Sequence, residues 1–217
     1  MTFIIKMLID DIKHKNVDRV KDIVLKNKIK DFILPNGLSI LWRIDIANYN
    51  KEDSQILQIL IENNVDIDSK NYYEQTMLHR CIEIENTNLF EDLLALGANL
   101  DAIDHSGQTP LHYAIYNCNL YMVYSLLELG ADPYIPDNTG WTPFMNLALQ
   151  LFPQKEIYAD VISSIEDILI DVYTKTELKK VTNICKEYGN DKLYNKICNK
   201  NFKSINKQDQ MSCKQDH

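Results

Sequence analysis

The sequence predicts an all-α solenoid of about five helix-turn-helix units, joined by hairpin loops and closed by a helical C-terminal cap. Two observations predict this fold: a four-residue motif and a glycine-containing turn recur with the same period of 33 residues. The 217-residue chain has 45% hydrophobic and 25% charged residues, which is typical of a folded protein. Because one helix pair cannot bury its apolar face alone, repeated pairs must stack to form a core.

The first repeated element begins each unit's first helix. TPLH at residues 109–112 recurs as TPFM at 142–145 and as TMLH at 76–79. A Thr hydroxyl can cap a helix, and Pro suits the first turn, where its missing N–H is harmless. We expect these positions to serve the scaffold: Thr76, His79, Thr109, Pro110, His112, Thr142 and Pro143.

The second repeated element ends each unit's second helix. Gly-Ala-Asn at residues 97–99 recurs as Gly-Ala-Asp at 130–132, and Asn-Val-Asp at 64–66 precedes both in the same register. Apolar residues at i, i+3, i+6 and i+7 from Leu120 predict an amphipathic helix before this turn. Gly130 then ends the helix in a left-handed conformation.

These elements divide the chain into units whose predicted bounds are 1–36, 37–73, 74–106, 107–139 and 140–173. The motif weakens upstream, where the spacing from Ser39 to Thr76 implies four inserted residues. Pro153 breaks the last unit and predicts an inserted loop around Gln154. We expect residues 174–202 to form a helical capping segment and residues 203–217 to be a disordered tail.

The GxTPLHxA and LGADP elements of residues 107–133 resemble those of the ankyrin repeats. The resemblance is close there, includes substitutions in 74–99 and 140–150, and is loose in 1–73 and 151–200. It implies that the His of the motif hydrogen-bonds the Thr hydroxyl and the backbone of adjoining turns. It also implies binding to other proteins as the shared role of the family.

A catalytic or metal-binding role for His112 is the competing interpretation. No second base or carboxylate lies within one turn of His112, and Trp42 and Met145 occupy the same place in other units. The five cysteines have no CxxC spacing, which favours reduced thiols over a disulfide framework or a zinc site. We therefore expect no catalytic residues, no metal and no cofactor.

The charge of the chain is asymmetric. Residues 1–173 hold 13 Lys and Arg against 26 Asp and Glu, net −13, whereas residues 174–217 hold 10 against 5, net +5. An acidic body repels phosphate, so we expect no nucleic-acid partner. No apolar run approaches the length of a membrane span, and the first residues do not resemble a signal peptide. We expect a monomer in the cytoplasm, with the nucleus as an alternative location.

The resemblance implies a binding surface formed by hairpin tips and the concave face of the first helices. Carried onto this chain, it predicts the following partner-binding residues: Tyr72, Tyr73, Gln75, His105, Ser106, Gln108, Tyr116, Asn138 and Trp141. The predicted function is a non-enzymatic adaptor or inhibitor that binds another protein. One alternative is an enzyme, or an enzyme subunit, with activity in residues 151–217. Another, within the favoured class, is a viral or bacterial inhibitor of host signalling similar to the inhibitor-of-kappa-B proteins.

Overall fold

The chain folds into a stack of helix pairs. The structure is a computed structural model that describes residues 2–27, 33–34, 36–148 and 159–199. The pairs, numbered here as units 1 to 6, are α1 Thr2–Lys13 with α2 Val17–Asn27; a 3-10 helix Ile40–Arg43 with α3 Lys51–Glu62; α4 Met77–Glu83 with α5 Thr87–Ala95; α6 Pro110–Tyr116 with α7 Leu120–Glu128; α8 Pro143–Ala148 with α9 Ala159–Val172; and α10 Lys175–Glu187 with α11, residues 191–199.

The predicted all-α fold is confirmed. Within the described ranges the only β pairing is an isolated bridge between Ile33 and Ser39. First helices stack on first helices, α4 on α6, α6 on α8 and α8 on α10, while α7 packs on α9. Among these same residues, no helix is long and apolar enough to cross a membrane.

One apolar core runs through the stack. The Leu of the repeated motif, or the Phe that replaces it, is at most 1% exposed in four units: Leu41, Leu78, Leu111 and Phe144. Second helices add buried residues at helical spacing, for example Leu89, Phe90 and Leu93 in α5. Each unit therefore completes the core of its neighbours, as expected for repeated helix pairs that cannot bury their apolar faces alone.

An Asn caps the second helix of most units, which the sequence analysis did not identify. The Asn86 and Asn119 side chains accept from backbone N–H groups three residues ahead, at 3.0 and 3.1 Å. In units 3 and 4 the preceding residue is left-handed, with φ of 57° at Glu85 and 54° at Cys118. The other caps of this kind are Asn16, Asn50 and Asn190. Such caps satisfy helix N–H groups that lack intrahelical acceptors.

The last helix pair continues the stack. Asn190 donates from its side-chain amide to the Ala148 carbonyl at 3.1 Å, which ties α11 to the end of α8. Lys196 of α11 donates to the Ser163 hydroxyl at 2.9 Å and contacts the buried Glu166 carboxylate of α9 at 3.3 Å. A half-buried ammonium with several oxygen partners fixes α11 far better than an exposed ion pair would.

The unit, cap and tail bounds given above stay predictions. The expected tail, 203–217, lies outside the described residues, as do the end of the expected cap, 200–202, and the loop expected around Gln154.

Replacing Asn119 by Ala should lower the free energy of unfolding by about 1 kcal/mol, because the Met122 N–H loses its side-chain acceptor. Asn88→Ala, on the exposed side of α5, is the matched control and should change stability by less than about 0.5 kcal/mol. Urea unfolding followed by circular dichroism measures both. Equal losses in the two variants would contradict a capping role for Asn119.

Candidate functional site

Each hairpin tip is held by one acidic or amide side chain. Asp104 Oδ1 accepts from the backbone N–H groups of Ser106 and Gln108, both at 2.8 Å. The equivalent contacts at Asn71 and Asp137 measure 2.8 to 3.1 Å. These side chains pre-form the turn, so the tip residues do not need to be ordered by a partner.

Neighbouring tips are also joined to each other. The His105 N–H donates to the Tyr73 carbonyl at 3.0 Å, and the Asn138 N–H donates to the Ser106 carbonyl at 2.9 Å. Gly107 has φ of +77°, and a Cβ added there would stand 2.6 Å from Asn138 Oδ1. Only glycine therefore allows both this backbone conformation and this close approach.

His79 links the first helix of unit 3 to the hairpin of unit 4. Its Nδ1 lies 3.2 Å from the Thr76 backbone N and 2.9 Å from Thr76 Oγ1, and its Nε2 lies 3.0 Å from the Gln108 carbonyl oxygen. A backbone N–H can only donate and a carbonyl can only accept. We therefore assign the proton to Nε2, which makes the imidazole neutral. Burial lowers the pKa of His79 below its ordinary value, in agreement with that assignment.

The same contacts recur one unit later. His112 Nδ1 lies 3.1 Å from the Thr109 backbone N, and Nε2 lies 3.2 Å from the Trp141 carbonyl oxygen. Burial again lowers the pKa of the histidine. Met145 takes this place in unit 5, where only two residues separate α9 from α10 and no hairpin follows to offer a carbonyl. A buried His there would lack its acceptor, whereas Met needs none.

No metal or catalytic cluster accompanies these histidines within the described part of the chain. No group of three or more His, Cys, Asp or Glu side chains is placed there to hold a metal ion. Both ring nitrogens of His79 and of His112 are engaged by the scaffold, so neither is available to a substrate.

Tyr113 occupies the concave side between units 3 and 4. Its hydroxyl donates to Asp104 Oδ2 at 2.8 Å and accepts from the Gln75 side-chain amide at 2.8 Å. Its ring meets His79 edge to face at 5.2 Å. Burial raises the pKa of Tyr113 to about 12, with further contributions from the carboxylates of Asp104 and Glu83.

The predicted partner-binding residues separate into three groups. Exposed side chains are those of Tyr72, Tyr73, His105, Ser106, Tyr116 and Asn138. The side chains of Tyr72, Tyr73 and Tyr116 are 69%, 72% and 59% exposed. They are the strongest candidates for partner contacts, because they are large aromatic side chains. Gln108 is half-buried, and its carbonyl accepts from His79.

Gln75 and Trp141 differ from the other predicted partner-binding residues in that contacts within the chain largely cover them. Gln75 is only 9% exposed, and its amide is engaged by Tyr113. Trp141 is half-buried, and its ring meets Tyr188 after α10 edge to face at 6.1 Å. Both side chains are occupied by contacts between units, which a one-dimensional repeat alignment does not reveal.

Sequence reasoning missed the residues that shape the tips and the concave face. Asn71, Asp104 and Asp137 recur at 33-residue spacing, the same period as the Thr motif, so the sequence does indicate them. Tyr113 gave no such signal, because the equivalent positions hold Arg80 and Asn146.

Stacked helix pairs with joined hairpin tips and a Thr–His contact between units define an ankyrin-type solenoid. Residues 44–137 match the family model for ankyrin repeats in three copies. The crystal structure of an ankyrin repeat domain from Acinetobacter baumannii AYE has a TM-score of 0.70 at 17% identity, covering 88% of this chain and 95% of that chain. No curated protein matches the chain. The predicted resemblance is confirmed over residues 44–137, and the structure has the fold of an ankyrin repeat domain.

His112→Gln should lower the free energy of unfolding by about 1 to 2 kcal/mol, because Gln cannot bridge Thr109 and the Trp141 carbonyl in the same geometry. His105→Gln, at an exposed tip, is the control and should have little effect. Thermal and urea unfolding measure the change. Stoichiometric zinc in the protein that is lost in a His79→Gln/His112→Gln variant would contradict the scaffold role.

The pH dependence of stability should follow from the lowered pKa values of His79 and His112. Below the unfolded-state pKa of about 6.5, the histidines of the unfolded chain bind protons, whereas the buried rings of the folded chain stay neutral. Stability is therefore lost as the pH falls from about 6.5 toward the folded-state pKa. Unfolding between about pH 7.5 and about pH 5.5 tests this. The double Gln variant should lose less stability over this range than the unsubstituted chain, and an equal loss would contradict neutral rings.

Proposed function

We propose that this chain is a non-enzymatic adaptor or inhibitor that binds a partner protein through its hairpin tips and the concave face of its first helices. Ankyrin repeats are in general protein-binding modules. The proposal adds a more specific role, that of an adaptor or inhibitor. The observation that carries it is the exposure of Tyr72, Tyr73 and Tyr116 on a rigid scaffold.

Exposed tyrosines on rigid turns favour binding for an energetic reason. A partner gains most from large side chains that are already fixed, since little conformational entropy is lost when they are covered. The Tyr73 backbone is held by Asn71 within its tip and by His105 of the next tip. Tyr116 ends α6, and its neighbour Asn117 donates to the Ile82 carbonyl of unit 3 at 2.8 Å.

The non-enzymatic part of the proposal is supported by the use of the polar groups. The histidines and the tip carboxylates are engaged in hydrogen bonds that fix hairpins, and Cys81, Cys118 and Cys185 are buried free thiols. Burial raises the pKa of each of these thiols, which opposes their use as nucleophiles. Free thiols also favour a reducing compartment, so we propose the cytoplasm or nucleus as the location.

Replacing Tyr73 and Tyr116 together by Ala should weaken partner binding by about 2 kcal/mol or more, the scale expected for truncated aromatic anchors. The melting temperature should change little, because exposed rings contribute few core contacts. Affinity purification from cell extract identifies the partner, and calorimetry on the purified pair then measures affinity.

Tyr124→Ala is the matched control, because Tyr124 is 53% exposed on α7 and lies outside the tips and first helices. An unchanged affinity in the Tyr73/Tyr116 variant, with loss in the Tyr124 variant, would move the binding surface to the second helices and reject the proposal.

A further inference from the structure

The middle of the chain contains no side-chain cation except histidine. No Lys or Arg occurs in residues 81–154, a segment that holds nine Asp and Glu. Charged residues normally alternate in sign on the surface of a protein, so a cation-free run of this length leaves the surface of units 3 to 5 negative. Such a surface attracts a partner of positive charge and repels an acidic one.

This negative surface includes exposed aromatic side chains at the junction of units 3 and 4. We call this surface the tyrosine groove and define it by Tyr73 in the hairpin tip of unit 3, Tyr113 and Tyr116 in α6, and Glu83 and Ile84 at the end of α4. Tyr73, Tyr116 and Ile84 are 72%, 59% and 37% exposed, respectively. The Gln75–Tyr113 hydrogen bond and the contact of Asn117 with the Ile82 carbonyl hold its two sides together.

The cations beside the groove are already neutralised by their own neighbours. Arg80 forms an ion pair with Glu83 three residues ahead, and Lys70 lies 3.8 Å from the Glu74 carboxylate and donates to the Ile103 carbonyl. Asp104 has hydrogen-bond donors but no cation among its contacts, and it lies directly under Tyr113. Two cations, Lys70 and Arg80, therefore stand against three carboxylates, Glu74, Glu83 and Asp104, so the net charge around the tyrosines is negative.

Tyrosine rings beside carboxylates suit one class of side chain in particular. The face of an aromatic ring attracts an ammonium or guanidinium group within about 6 Å, and guanidinium groups also stack on the ring plane. A nearby carboxylate strengthens the attraction, since it can accept the N–H groups of the same cation. An aliphatic stem of Lys or Arg can then cover apolar surface such as Ile84.

We propose that the tyrosine groove binds a basic segment of the partner protein, with Arg or Lys side chains on the Tyr73 and Tyr116 rings and beside Glu83. This inference rests on the proposed function and adds the chemical class of the partner to it.

A peptide selection tests the inference before any partner has been identified. The probe is a displayed library of random peptides of about twelve residues, which span about 40 Å when extended. Selection uses the full chain. The enriched peptides should be rich in Arg and Lys, and raising the salt from about 50 mM to about 300 mM should weaken their binding several-fold.

Matched variants locate the binding of an enriched peptide. Tyr116→Ala should weaken it at least about tenfold because a ring is removed, and Glu83→Gln about threefold because a charge is removed. Tyr124→Ala and Glu128→Gln make the same chemical changes on the outer side of α7 and should have no effect.

Each alternative outcome is distinct. Neutral or acidic peptides that are lost in Tyr116→Ala overturn the basic occupant while the proposed binding surface stands. Basic peptides that bind all four variants equally overturn the groove, and a selection without binders overturns a linear occupant. The chain's own residues 200–217 contain four Lys and two Asp, so this segment is a second candidate occupant. If a variant that ends at Asn199 binds the enriched basic peptides tenfold tighter than the full chain, that segment is the occupant and the assignment to a partner is overturned.

Discussion

The contact on which the arrangement of units 3 to 5 depends is the hydrogen bond from a buried histidine to the hairpin of the next unit. His79 reaches the Gln108 carbonyl and His112 reaches the Trp141 carbonyl, both across 29 residues of sequence. Apolar packing between helices is compatible with small rotations and slides, whereas a buried N–H requires its acceptor in one direction. The histidines therefore fix the position of each hairpin relative to the preceding helix, and the tips line up as a result.

A second set of hydrogen bonds joins the loops that follow the second helices of successive units. The side chain that makes this contact is different where the repeats end. Asp68 Oδ1 accepts from the Asn99 N–H, and Asp101 Oδ1 accepts from the Asp132 N–H, each at 2.9 Å. The next position in this series is Tyr134, whose longer side chain reaches the Val172 carbonyl at 3.0 Å. A hydroxyl suits this position, because it donates to the Val172 carbonyl, which a carboxylate cannot do, and it also accepts from the Thr174 N–H at 3.2 Å.

The N-terminal units depart from the motif, and their polar contacts differ accordingly. Trp42 stands where units 3 and 4 have histidine, and its buried Nε1 has no hydrogen-bond partner among the described residues. Unit 1 is joined to unit 2 instead by Lys15, which donates to the 1% exposed Asp53 carboxylate at 2.7 Å and to the Asn48 carbonyl at 3.1 Å. Breaking such a buried pair on one side leaves an uncompensated charge, so the pair is a strong constraint between these units.

The sequence by itself determined the solenoid, because the TPLH motif and the glycine turn share a period of 33 residues. Such a period predicts stacked helix pairs. It also indicated the tip residues Asn71, Asp104 and Asp137, since local turn chemistry repeats with the backbone.

Only the tertiary structure decided which surface side chains remain exposed. Gln75 and Trp141 occupy tip-adjacent positions much as Tyr73 does, yet one is held by Tyr113 and the other lies against Tyr188. Those partners are 38 and 47 residues away in sequence. Exposure depends on what a neighbouring unit places against a residue, and the repeat period specifies the backbone position but not that side chain.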